Sequence, residues 1–317
     1  MLAAHDQPRL EHPGKVDMNG AAIVCDWGTS SLRCYLVDAS GHIRAERSNA
    51  DGLLAMGERS FPQVLEDLIE DWLHTGLPVL LCGMVGSSQG WHEVPYVPSP
   101  ASIADLADGL LPIKWGKGRQ GWIVPGVSHR LGSTCEVMRG EETQVAGYLQ
   151  LQAVQDALVC LPGTHSKYVR VRNGVITDFR TYMTGELFAL LRFHSILAGT
   201  LAQCDAGVGI DVAAFHRGLD YSETSGGLLH HMFQARTQVL LKSMQRSESV
   251  SFLSGLLIGH EVRAADPREP VILIGRPDLV ATYRDAFARL GLPCSVAPAV
   301  PAVAGAFRIG QLAGVIA

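Results

Sequence analysis

Val24-Cys25-Asp26-Trp27-Gly28-Thr29-Ser30-Ser31 and, roughly 135 residues later, Val159-Cys160-Leu161-Pro162-Gly163-Thr164-His165-Ser166 are the two stretches on which the reading of this chain turns. Each closes a short apolar run and passes through a Gly-Thr turn into two further alternating segments. The first copy continues through Leu32 to Asp38, turns at Ala39-Ser40-Gly41 and resumes at Ile43 to Glu46. Connections this short join antiparallel strands but cannot make a parallel crossover. The segment therefore predicts a meander and disfavours a dinucleotide-binding Rossmann unit. In the second copy Tyr168 to Arg172 and Val175 to Phe179 flank Asn173-Gly174, a strong hairpin signal. The echo predicts two related halves.

Working outward, Phe61, Leu65, Leu68, Ile69 and Trp72 recur at helical spacing, with Glu66, Asp67, Glu70 and Asp71 on a solvated face. Pro78 to Cys82 reads as a short buried strand, followed by a Gly-rich stretch from Gly83 to Trp91 and a proline-marked loop from Pro95 to Pro100. Beyond Phe179 the pattern is helical over Leu187 to Leu197, Leu228 to Met244 and Phe252 to Val262. Val271 to Gly275 reads as a strand whose turn opens a helix running to about Leu290, with Asp278 as its N-cap. Strand-turn-helix order places backbone N–H groups at the end of a strand, a common place for a nucleotide.

Bulk composition narrows the function classes. A length of 317 residues with 47% hydrophobic content suits a two-domain globular protein. A net charge of -5 without a basic run argues against nucleic-acid binding. No stretch reaches the roughly 18 uninterrupted apolar residues of a membrane span, and residues 1–17 read as a polar, disordered tail, with Met18 an alternative start. The seven scattered cysteines, without a Cys-x-x-Cys pair, read as reduced thiols of a cytoplasmic protein and not as a zinc site.

The first turn has a chemical reading. Glycine lets the backbone approach an anion, the N–H groups and hydroxyls of Thr29, Ser30 and Ser31 can surround phosphate oxygens, and Asp26 can hold magnesium. Ordinary hairpin turns share this composition. The echo favours phosphate, because two such loops facing each other from two halves would grip a polyphosphate. A second candidate stands at Gly140-Glu141-Glu142, where a helix begins: a carboxylate there is stabilised as an anion and can accept a proton.

These motifs resemble a known group. The pattern Asp-x-Gly-Thr-Ser-Ser-x-Arg, with a second Gly-Thr loop, is similar to the two phosphate motifs of the actin-like ATPase superfamily, whose carbohydrate kinases carry an Arg where Arg33 stands. The stretches Gly83 to Trp91, Leu161 to Tyr168, Thr181 to Phe188 and Phe252 to Gly259 extend the resemblance to the 2-dehydro-3-deoxygalactonokinase family over nearly the whole chain from Ala21. The resemblance implies a ribonuclease H-like α/β fold with an N-terminal domain over residues 18–140 and a C-terminal domain over 141–317. It implies ATP and magnesium in the cleft, with phosphoryl transfer to the 6-hydroxyl of 2-dehydro-3-deoxy-D-galactonate.

Residue by residue, Asp26 is then the metal-linked carboxylate, and Gly28, Thr29, Ser30, Ser31, Arg33, Gly163, Thr164, His165, Ser166 and Lys167 hold the phosphates. Gly275 marks the adenosine site. Met84, Gly86, Ser87, Gln89 and Trp91 belong to the sugar-acid loop. Related sugar kinases carry their catalytic Asp where Glu141 stands, so the base is Glu141 or its neighbour Glu142, with Asp205 and Asp211 the next carboxylates to consider. Arg180, Arg192 and His194 are candidates for the substrate carboxylate. The expected partner is a small-molecule sugar acid, with no nucleic acid and no membrane, and a homodimer is compatible with the sequence.

Overall fold

A computed structural model describes residues 20–116, 118–201, 209–298 and 301–317. The expected tail, the alternative start at Met18, the thiol of Cys204 and the carboxylate of Asp205 lie outside them. The chain opens with β1 (Ala22–Trp27), β2 (Leu32–Val37), β3 (Ile43–Asn49), α1 (Phe61–Leu73) and β4 (Val79–Gly83), then a single 3₁₀ turn at Met84–Gly86. There follow β5 (Val97–Pro98), β6 (Ala101–Ser102), α2 (Ile103–Asp108), β7 (Leu111–Trp115), β8 (Arg119–Ile123), β9 (Val127–Leu131), β10 (Thr134–Met138) and α3 (Glu141–Gln152). The second half begins with β11 (Ala157–Leu161), β12 (Ser166–Arg172) and β13 (Val175–Tyr182). A helical stretch comes next: α4 (Thr184–His194), α5 (Ala198–Leu201), α6 (Val212–Tyr221), α7 (Gly227–Met232), α8 (Gln234–Leu240) and α9 (Ser249–Ala265). The chain ends with β14 (Val271–Leu273), α10 (Pro277–Arg289), β15 (Cys294–Val296) and α11 (Pro301–Leu312).

The echo in sequence is an echo in topology. One sheet has the order β3-β2-β1-β4-β8-β7 and another the order β15-β14-β11-β12-β13-β6, with β10-β9-β5 forming a small third. In each large sheet three strands form an antiparallel meander, and two more lie parallel to the first on its other side. This is the ribonuclease H-like α/β fold of the actin-like ATPases, present twice. The Asn173-Gly174 turn is as expected, both residues having positive φ, 52° and 73°.

Helices cover the sheets on both faces. α1 presses Val64, Leu65, Ile69 and Trp72 onto Ile23, Cys25 and Trp27 of the first sheet. On the second sheet, α3 supplies Val145 and Leu149 to one face, while Phe215, Val262 and Phe287 from α6, α9 and α10 fill the other. The last helix does not stay with the second sheet. Val303, Ala306 and Phe307 of α11 pack on Ala22, Val24 and Leu80 of the first. α3 and α11 thus lie side by side where the halves join, at a close approach that only glycine permits. A Cβ at Gly147 would fall 1.7 Å from the Pro301 carbonyl, and one at Gly305 would fall 1.9 Å from that of Thr143.

Three local expectations need correction. The run from Leu228 to Met244 is two short helices that stop at Leu240. Lys242 is left-handed, and the Ser243 and Met244 N–H groups turn back onto the Gln238 carbonyl, which ends the helix. The helix expected from Leu187 to Leu197 is α4, ending at His194. Asp278 is not an N-cap: Arg276 is, because Pro277 has no N–H to satisfy and already holds the φ of a first helical residue.

Candidate active site

The two Gly-Thr turns open onto one cleft. Its volume is about 1080 Å³, which is the top of the range for a single small-molecule site and leaves room for two ligands. Asp26, Gly28, Thr29 and Arg33 line it from the first half, and Gly163, Thr164, His165 and Gly275 from the second. Glu141 and Arg139 line it at the junction, with Met84 beside them.

Each turn is braced from behind by a segment containing its own close-packed glycine. At the first, the Trp27 indole N–H donates to the Asp51 carbonyl at 2.9 Å, while Leu53 N–H and Leu54 N–H donate to the Gly28 and Thr29 carbonyls at 3.0 and 3.1 Å. A Cβ at Gly52 would lie 2.3 Å from Ser31 N, so that segment seats directly on the turn. At the second, Glu186 N–H donates to the Thr164 carbonyl at 2.9 Å, the Glu186 carboxylate pairs with His165, and a Cβ at Gly185 would lie 2.3 Å from the Gly163 carbonyl. Gly28 and Gly163 themselves are open: a Cβ on either would find nothing nearer than 3.7 Å. Their lack of a side chain leaves the cleft unobstructed at both turns.

The floor of the cleft is acidic and tightly built. Asp26 is the penultimate residue of β1, and burial pushes its carboxyl up from the usual range; Arg33 pulls it back down and Glu141 pushes it further up. Gly83, at φ 88°, turns beneath it, with a Cβ position 2.7 Å from the Trp27 carbonyl. Gly140, at φ 103°, stacks on Gly83 in turn, its Cβ position 3.1 Å from the Gly83 Cα. Two left-handed glycines therefore bring the start of α3 against the end of β1.

That approach separates the two glutamates. Glu141 faces the cleft, accepting from Arg139 N–H at 2.9 Å through Oε2 and lying 3.4 Å from Lys167 Nζ through Oε1. Glu142 faces inward with no exposed surface, both its oxygens accepting from Gly140 N–H at 2.9 and 2.7 Å. Burial, reinforced by Glu141, pushes its carboxyl up to about 8.

Other expected residues sit outside the lining. Ser166 and Lys167 are strand residues of β12, not loop residues. The Ser166 hydroxyl lies 2.9 Å from the Tyr283 hydroxyl, which donates to the buried Glu261 carboxylate at 2.7 Å. Lys167 is buried behind the turn and reaches Glu141. Ser30 and Ser31 carry the first turn without lining the cleft, and Gln89 is exposed away from it. Trp91 packs among aromatics, with ring centroids 6.1 Å from Phe61 and 5.3 Å from Trp115. Gly86 and Ser87 are buried, and Gly86 lies against Arg139. Arg180, Arg192 and His194 do not line the cleft, and Asp211 is the N-cap of α6, accepting from Ala214 N–H at 2.9 Å.

Sequence reading missed Arg139, Arg276 and Arg284, all of which line the cleft. Arg139 was detectable in principle, as a lone cation two residues before the candidate base. The apolar end, with Val280, Ala281, Val296 and Ala297 around Gly275, is assembled from elements distant in sequence and carries no motif. Among the described residues no group of three or more His, Cys, Asp or Glu could hold a metal ion. One or two carboxylates with phosphate oxygens and water are nonetheless the usual magnesium environment, and Asp26 fits it.

Comparison with known proteins fits this geometry. The chain is 34% identical over 299 residues to 2-dehydro-3-deoxygalactonokinase of Escherichia coli (strain K12), covering 92% of this chain and 97% of that one. It is 35% identical over 273 residues to a protein of Rhizobium meliloti (strain 1021) described as a probable 2-dehydro-3-deoxygalactonokinase, covering 84% and 89%. A crystal structure of a provisionally assigned 2-dehydro-3-deoxygalactonokinase from Sinorhizobium meliloti superposes with a TM-score of 0.82 at 33% identity, covering 92% of this chain and 98% of that one. The model of the 2-keto-3-deoxy-galactonokinase family matches residues 26–309, nearly the whole described fold, and this chain belongs to that family.

Proposed function

We propose that this protein transfers the γ-phosphoryl group of ATP to the 6-hydroxyl of 2-dehydro-3-deoxy-D-galactonate. The observation that carries the reading is the meeting of two Gly-Thr turns, from equivalent points of two sheets, on one cleft with an outward-facing carboxylate at its floor. Phosphoryl transfer asks a protein chiefly for alignment and charge neutralisation. The turns at Gly28-Thr29 and Gly163-Thr164 hold the polyphosphate from opposite sides, and the apolar surface around Gly275 takes the adenine. Asp26 would hold magnesium, which when bound would supply neutralisation of charge on the transferred group. Glu141 accepts the proton of the sugar-acid hydroxyl as that oxygen bonds to phosphorus. Glu142, turned inward, holds the backbone at Gly140 and so sets where Glu141 stands.

The test is sugar-acid-dependent ADP release with a panel of acids and neutral sugars in the presence of magnesium. Release stimulated by 2-dehydro-3-deoxy-D-galactonate, with the 6-phosphate as product, is expected. Stimulation by a different sugar alone would overturn the substrate assignment. ATP binding without stimulation by any acceptor would overturn the kinase reading.

A further inference from the structure

Arg139 is the most enclosed arginine with an unexplained charge. Its side chain runs from the β10–α3 junction into the loop that follows β4, and the residue is 8% exposed. Nη2 donates to the Val94 carbonyl at 2.7 Å, and the guanidinium lies 4.3 Å from the centre of the Tyr96 ring. Nε and Nη1 have no partner among the described residues, and neither has the buried hydroxyl of Ser87. Gly86 lies against the same group: a Cβ there would come within 2.9 Å of Nη1. No carboxylate oxygen of the described residues lies within 4 Å of the Arg139 guanidinium, although its charge is felt by the buried Glu142, whereas the far more exposed Arg44, Arg170 and Arg289 are all paired.

A guanidinium this enclosed, with two donors unspent, is unfavourable unless an anion joins it. Its N–H groups suit a carboxylate as charge-assisted donors, and the unpartnered Ser87 hydroxyl, on the residue after Gly86, can add a further donor. Arg139 also lines the cleft, two residues before Glu141. We infer that Arg139, assisted by Ser87, is the site that receives the carboxylate of the sugar acid. The inference rests on the kinase reading above. It assigns to the β10–α3 junction both ends of the acceptor: the acid at Arg139 and the reacting hydroxyl at Glu141. Substrate length is then measured along one rigid piece of the chain. Arg180, Arg192 and His194, from the second half, lie outside that piece.

The experiment compares the sugar acid with its uncharged carboxamide, as substrate or competitive inhibitor, in wild type, Arg139→Gln and Ser87→Ala. Wild type should prefer the acid. Arg139→Gln should weaken the acid roughly 10- to 100-fold while the amide changes little, so that the preference collapses, with ATP affinity by calorimetry unchanged. Ser87→Ala should move the ratio in the same direction by less. If Arg139→Gln does not fold, Gly86→Ala supplies the reading, since its methyl presses on Nη1, as well as on Ile123 and Val94, while the charge remains. Equal losses on acid and amide would show that Arg139 only props the loop, and an unchanged acid preference would place the carboxylate elsewhere. Either result overturns this assignment while leaving an active wild-type kinase; an inactive wild type would overturn the kinase reading beneath it.

Discussion

Glu141 and Glu142 are neighbours in sequence and occupy different media. A carboxylate that takes the hydroxyl proton acts mainly in the transition state, and such general-base catalysis is typically worth about 10²–10⁴-fold. Glu141→Gln should lower kcat within that range and leave ATP affinity nearly intact; steady-state kinetics with calorimetry checks it. Glu142→Gln should leave kcat within about tenfold and change stability instead. Burial pushes the native carboxyl up to about 8 from an ordinary 4.5, so the folded state keeps a proton that the unfolded state has lost. The stability it contributes is fully present below about pH 4.5 and is lost as pH rises through about 8. Denaturant unfolding from pH 5 to 8.5 should show wild type declining, by at most about 1.4 kcal/mol per pH unit from this group, and Glu142→Gln declining less. Parallel slopes would refute the buried position of Glu142. Sequence alone could not separate the pair, because both suit a helix start; the left-handed Gly140, which turns one out and one in, is visible only in three dimensions.

At the scale of elements, the two turns and the two central helices make opposite use of glycine. A Cβ at Gly163 would make only ordinary contact, with the His165 carbonyl at 3.8 Å, so Gly163→Val should fold normally yet weaken ATP roughly tenfold or more, by crowding the phosphates, with sugar-acid binding much less affected. An unchanged ATP affinity in the folded variant would remove the second turn from the nucleotide site. Gly305 is the reverse case. Its Cβ would meet the Thr143 carbonyl at 1.9 Å, within helices whose backbones cannot yield separately. Overpacking costs about 1–3 kcal/mol or more. Gly305→Ala should therefore lower Tm by several degrees in calorimetry, whereas Gly57→Ala, with nothing within 4 Å though at φ 63°, should cost much less. The meanders were legible in sequence because their connections are too short for any other topology. The two Gly-Thr turns were legible because they repeat. The braces Gly52 and Gly185, and the end of α8 at Leu240, were not, since each depends on contacts or on a left-handed residue that composition does not encode.

For the molecule as a whole, the repeat sets two similar sheets around one cleft. Two sheets of equivalent order face one cleft, and the closely packed pair α3 and α11 lies where they meet, α11 having returned from the chain end to cover the first sheet. That return carries no sequence signature, because an apolar helix face does not say which sheet it will cover. If the halves close on a ligand, the helix pair and the apolar cluster shared beside it, with Cys82 and Val124 from one half and Val159 and Leu161 from the other, are where they would turn. A ligand touching both turns favours the closed arrangement by as much as it binds that arrangement better. A non-hydrolysable ATP analogue at about 100 times its Kd should stabilise the protein by about 2.7 kcal/mol, read as a rise in Tm. If the phosphates bridge the halves, small-angle scattering should also record a smaller radius of gyration, and adding the sugar acid should shrink it further, because exclusion of water protects ATP from wasteful hydrolysis. A rise in Tm with an unchanged radius in both steps would mean that nucleotide and acid bind one half each. The two-turn clamp would then be wrong even though both ligands bind.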